Sequence, residues 1–152
     1  MIEYNWQFGT VLEYWPAFLR GIGVTVQLSV IILIAAIVGG VIIGAARHSK
    51  NKFFNWPATV YIEIFRNIPI FVQIVWFFFA FPIIIGVQLD GFHAALFGIG
   101  LNTIAYSAEI FRAGIQSIER GQWEAGRAIG MPYLKIMWRV ILPQAVRRMI
   151  PA

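Results

Sequence analysis

Glu63 and Arg66 lie three residues apart within an apolar stretch, and Gln73, Asn102, Thr103, Tyr106 and Glu109 stand in or beside two such stretches. A charge held in hydrocarbon costs several kcal/mol, so it faces a cavity, an aqueous path or another charge. Two readings of these residues are open. They line a path for a polar solute, or they serve packing: Glu63 and Arg66 as an ion pair that locks helices, Asn102 and Thr103 as interhelical hydrogen-bond donors. Covalent chemistry finds no support. There is no cysteine, which removes disulfides, thiolate metal sites and a thiol nucleophile. The sequence holds neither a GxxxxGKS/T phosphate loop nor the GxSxG elbow of a serine nucleophile. Glu119 and Glu124 flank a basic loop and need no acid and base roles. Binding and movement are the expectation, and an enzyme is not.

The elements that must position these residues are membrane helices. Of the 152 residues 59% are hydrophobic and 12% charged, against roughly 45–50% and 25% in soluble domains. Net charge of +5 does not point to nucleic acid, because the basic residues flank apolar segments as cytoplasmic loops do. Crossing a hydrocarbon core takes roughly 20 apolar residues, and three segments qualify. The first covers 21–46 between Arg20 and Arg47, with Gly39, Gly40 and Gly44 suited to close helix packing. The second covers about 56–81, bends at Pro69 and ends near Pro82; the third covers about 92–117. Counted from Trp56 at about 1.5 Å per residue, Glu63 and Arg66 fall roughly 10–15 Å in, near the bilayer centre. The run Phe77 to Phe81 reads as lipid-facing or packed surface.

Basic residues set the orientation. Arg47, Lys50 and Lys52 follow the first segment, only Asp90 follows the second, and Arg120, Arg127, Lys135, Arg139, Arg147 and Arg148 follow the third. The first loop and the tail are therefore expected in the cytoplasm, with the N-terminus and the Asp90 loop outside. His48 and His93 then lie on opposite sides of the membrane and share no metal; His93 reads as structural. Residues 1–20, with Trp6, Phe8, Tyr14 and Trp15, read as an external interfacial segment and not as a cleaved signal peptide. The resulting division is 1–20 interfacial, 21–118 transmembrane, and 119–152 a cytoplasmic loop leading into a further span.

That loop carries the most specific pattern. Gly121 to Pro143 reads GQWEAGRAIGMPYLKIMWRVILP. Gly130 and Pro132 predict a short helix over 123–129, a sharp turn, and a second helix over 133–141 closed by Pro143. Glu124 and Arg127 stand three apart and can pair.

Glu124-Ala125-Gly126, then Gly130, then Val140-Ile141-Leu142-Pro143 resembles the EAA loop of bacterial ABC importer permeases. Gly126 stands where that pattern has alanine, and Val140 where it has isoleucine. YIEIFRNIPIFVQ from Tyr61 to Gln73 and AYSAEIFRAGIQSI from Ala105 to Ile118 resemble the polar amino acid branch of the same family. The resemblance runs from about Thr25 onward. It implies an all-α type I ABC importer permease core in the inner membrane: three transmembrane helices and a cytoplasmic coupling helix, the last spans missing because such permeases continue for about two more. It implies an ATPase dimer that uses ATP and Mg, a second permease subunit forming a homo- or heterodimer, and a periplasmic or lipid-anchored amino acid binding protein. Trp123, Glu124, Ala125, Gly126, Ala128, Gly130, Leu142 and Pro143 would couple to the ATPase. Two alternatives stay open, a permease for another small solute and a small helical membrane protein that transports nothing.

Overall fold

The computed structural model describes residues 14–150, and among them every regular element is helical. The expectations placed on Trp6, Phe8 and the last two residues lie outside that range. Helix α1 (Trp15–His48) is followed by α2 (Lys52–Asn67), α3 (Ile70–Val75), a π-helical turn (Trp76–Ala80) and α4 (Phe81–Ile85). Then come α5 (Gly91–Gln116), α6 (Arg120–Ala128), α7 (Tyr133–Ile136), a second π-helical turn (Met137–Ile141) and α8 (Leu142–Met149).

α1 carries Pro16 in its first turn, where the missing N–H costs nothing. Its 34 residues extend about 51 Å, well beyond a hydrocarbon core of about 30 Å. It buries one narrow stripe, Ile32, Ala36, Gly40 and Gly44, recurring every four residues. A side chain cannot replace the glycines there: a Cβ on Gly40 would sit 2.6 Å from Ser107 Cβ, and one on Gly44 2.8 Å from the Ala108 carbonyl oxygen. α1 therefore lies backbone to backbone along α5, the small-residue contact typical of membrane helices. The rest of α1 exposes Leu33, Ile34, Ile37, Val38 and Ile42, a surface costly in water and at ease in lipid. α1 and α5 are each long and apolar enough to cross a membrane.

The second apolar segment departs from a kinked single helix. α2 and the 70–85 helical run meet at 102°, because Pro69 biases its predecessor away from the helix and Ile68 is extended at φ −90°, ψ 126°. A break of this kind strands carbonyl groups that water cannot reach. Side chains take them up: the Gln73 amide donates to the carbonyls of Phe65 and Ile68, both at 2.8 Å, and the Asn102 amide donates to Phe65 at 2.6 Å.

Pro143 does not end the chain's last helical run, contrary to expectation. The π turn widens the helix just before it, so that Leu142 N–H bonds to Met137 O, five residues back, and α8 proceeds. Pro82 is passed in the same way, with Phe81 N–H bonded to Trp76 O. A proline clashes with the carbonyl four residues earlier in a regular α-helix, and the inserted π turn moves that carbonyl aside. Within the Phe77 to Phe81 run, Phe77 is buried and stacks on Phe97 at 5.8 Å, while Phe78 and Phe79 are exposed.

Candidate functional site

Of the sequence-predicted polar residues, Glu63, Arg66, Tyr106 and Glu109 gather at the junction of α1, α2 and α5. Glu109 is the centre: it binds Arg47 at 2.6 Å, Arg112 on its own helix, and Arg66 at 4.0 Å. Glu63 bonds Arg47 at 3.2 Å and accepts from Asn67 at 3.3 Å. Arg66 lies over the Tyr106 ring, 5.2 Å from its centroid. Glu63 and Arg66 do not pair with each other; each reaches a different helix instead. Contact with Arg47, next to the last residue of α1, puts Glu63 beside the C-terminal end of that helix, and α2 turns off at Ile68.

Three arginines against two glutamates leave one positive charge at this junction. The Nε of Arg66 is buried without a hydrogen-bond partner, and so is the side-chain oxygen of Gln73. One donor and one acceptor thus remain unused near the break. Asn102 is committed to Phe65, and Thr103 bonds back to the Ile99 carbonyl at 2.7 Å within its own helix. Arg47 and Arg112 belong to the cluster, yet a reading of apolar segments takes Arg47 as a boundary and Arg112 as a continuation. The signal for Arg112 was available, three residues after Glu109; Arg47 needs the fold.

The loop 119–143 is the second site. α6 ends in a Schellman turn: Met131 N–H bonds to Gly126 O at 3.0 Å, and Gly130 N–H to Arg127 O at 2.9 Å. Gly130 supplies the left-handed residue at φ 74°. Gly126 is buried, and a Cβ there would meet Ile136 Cγ1 at 2.8 Å, so this chain's glycine in the triplet makes room for isoleucine. Trp123 stacks on Tyr133 with centroids 5.5 Å apart. Trp123 also packs on a small core of Ile115, Ile118, Ile136, Ile141 and Ala145 that roots the loop in α5 and α8. Outward face Glu124, Ala125, Ala128 and Gly130, with Ile129 76% and Leu134 68% exposed at the tip. Leu142 is half-buried and Pro143 exposed. Glu124 and Arg127 form no ion pair.

On the far side of the molecule Asp90 caps α5, accepting from the His93 N–H at 2.9 Å and facing its ring nitrogen at 2.6 Å. Those two hydrogen bonds, the backbone one first, hold the Asp90 carboxyl below the usual range. His93 has the structural place expected of it.

Residues 36–152 match the family described as "Binding-protein-dependent transport system inner membrane component". The "Probable amino-acid ABC transporter permease protein YckA" of Bacillus subtilis (strain 168) is 41% identical over 152 residues, covering 99% of this chain and 67% of that protein. The "Arginine transport system permease protein ArtQ" of the same organism is 36% identical, covering 97% of this chain and 68% of that protein. The structure titled "Crystal structure of an amino acid ABC transporter with histidines" superposes with a TM-score of 0.88 at 32% identity, covering 97% of this chain and 69% of its own. The chain thus spans about two thirds of the length of the relatives it matches. It belongs to the inner-membrane components of binding-protein-dependent transport systems, as a permease subunit of the ABC type and not an enzyme.

Proposed function

We propose that this chain helps carry polar amino acids inward, driven by a partner ATPase that grips the loop 119–143. Membership of a binding-protein-dependent system entails an ATPase and a solute-binding protein. The N-terminus and the Asp90 loop face outward, the loop after α1 and the tail face the cytoplasm, and an ATPase dimer using ATP and Mg docks on the tail. A second permease subunit, identical or different, completes the path, and a periplasmic or lipid-anchored protein delivers the amino acid.

One observation carries the coupling role. The loop presents outward Glu124, Ala125 and Ala128 of α6 together with Gly130, tipped by exposed Ile129 and Leu134, while Gly126 of α6 packs inward on Ile136 of the core. Such a loop transmits a push as a lever does. ATP binding moves the inward and outward equilibrium only by its differential affinity for the two states, and a rigid loop delivers that difference to α5 and α8.

For the solute, names of relatives at 36–41% identity favour an amino acid. So does the junction, whose surplus positive charge suits a carboxylate. Glu63, Tyr106 and Glu109 shape that end of the path; Asn102 serves it by tying α5 to the end of α2, and Thr103 by its place on α5. The test is Gly130→Asp. It should abolish co-purification of the ATPase while membrane insertion persists. Undiminished association counts against the coupling role.

A further inference from the structure

We propose that the cleft between the end of α1 and the base of the loop holds one anionic phospholipid. The cleft encloses about 1290 Å³, above the range of about 300–1,000 Å³ usual for small-molecule pockets. Its apolar lining comes from Val41 and Ala45 of α1, Phe111 and Ile115 of α5, and Met137 and Trp138 of the second π turn. Its rim carries His48, Lys50, Arg127 and Arg147, and among the described residues no acidic one lines it.

The two halves demand different chemistries from one ligand. Val41 lies two helical turns from His48, about 10 Å farther along α1. An acyl chain fits that wall, which runs on into the exposed apolar flank of α1 at Val38 and Ile42. The rim stands where the apolar run of α1 stops, at headgroup level, and its guanidinium groups bind phosphate oxygens with two parallel hydrogen bonds. Basic pockets between membrane helices on the cytoplasmic side recognise anionic headgroups on this principle. A soluble acidic peptide satisfies the rim and leaves the wall uncovered, whereas a neutral lipid does the reverse. The leaflet follows from the orientation proposed above, but the ligand class does not depend on it. A phosphate bridging Lys50 to Arg127 and Arg147 would tie the loop after α1 to the coupling loop.

The chain is purified in detergent with equal parts of phosphatidylglycerol and phosphatidylcholine, and retained lipid is read by native mass spectrometry. Preferential retention of one phosphatidylglycerol is expected, with about a tenfold loss in the Arg127→Gln, Arg147→Gln double variant. Lys135→Gln with Arg139→Gln removes equal charge outside the cleft and should leave retention intact. Ala45→Trp fills the wall without touching charge and should also reduce it. Equal retention of both lipids, or equal loss in the two double variants, overturns the proposal. So does a covalent dimer through Ala45→Cys in membranes, which would show a second copy seated in the cleft. Each readout is independent of transport and of ATPase binding.

Discussion

At the residue scale, Glu109 is the acid on which three arginines converge, and its side chain is only 18% exposed. Replacing it with glutamine leaves Arg47 and Arg112 facing each other without their shared carboxylate. Glu109→Gln should therefore lower stability by about 1–3 kcal/mol, less than a fully buried pair because solvent reaches part of the cluster. Glu63→Gln, at a side chain 55% exposed, should cost under about 1 kcal/mol. Thermal unfolding in detergent checks the order, and equal effects would contradict it. Asp90 gives a pH prediction. Its carboxyl is depressed in the fold, so its stabilisation is complete above the unfolded value of 3.8 and is lost as pH falls through the lower folded value. The stability difference between the chain and Asp90→Ala should shrink as the pH falls below 3.8.

At the element scale, small residues decide how closely helices approach. Gly40→Ala drives a methyl into Ser107 and should cost about 1–3 kcal/mol. Gly21→Ala on the same helix meets nothing within 4 Å and should gain up to about 1 kcal/mol in helix propensity. Unfolding of the two variants in parallel separates packing from propensity. What the sequence makes legible follows the same division. The first and third apolar runs, Gly40 and Gly44, and the turn at Gly130 and Pro132 are local signals, and each falls where the structure uses it. The 102° break is not local. Pro69 announces a bend, but its size depends on Gln73 and Asn102 arriving from outside α2 to take the stranded carbonyls. Nor is the passage through Pro82 and Pro143, where a π turn removes a clash that a proline ordinarily resolves by ending the helix. The charged cluster was half legible: Glu63, Arg66 and Glu109 stand out against apolar neighbours, while Arg47 joins them only once α1 and α5 are packed.

At the scale of the whole molecule, the two sites sit on one frame. α5 carries Glu109 and Arg112 of the charged junction, and its last turns carry Ile115 in the core beneath the loop. A displacement of the loop therefore reaches the charged junction through a single helix. Tyr61 adds stiffness there, its hydroxyl donating to the Leu101 carbonyl at 2.8 Å between α2 and α5. This arrangement transmits force only if the loop faces the compartment that holds ATP. The absence of cysteine makes the decisive measurement simple. Ala128→Cys places one thiol on the exposed face of α6, and Gln88→Cys places one in the loop before α5. With a membrane-impermeant maleimide, Ala128→Cys should label in inverted vesicles and not in intact cells, and Gln88→Cys should do the opposite. Labelling of Ala128→Cys from outside intact cells would contradict the account.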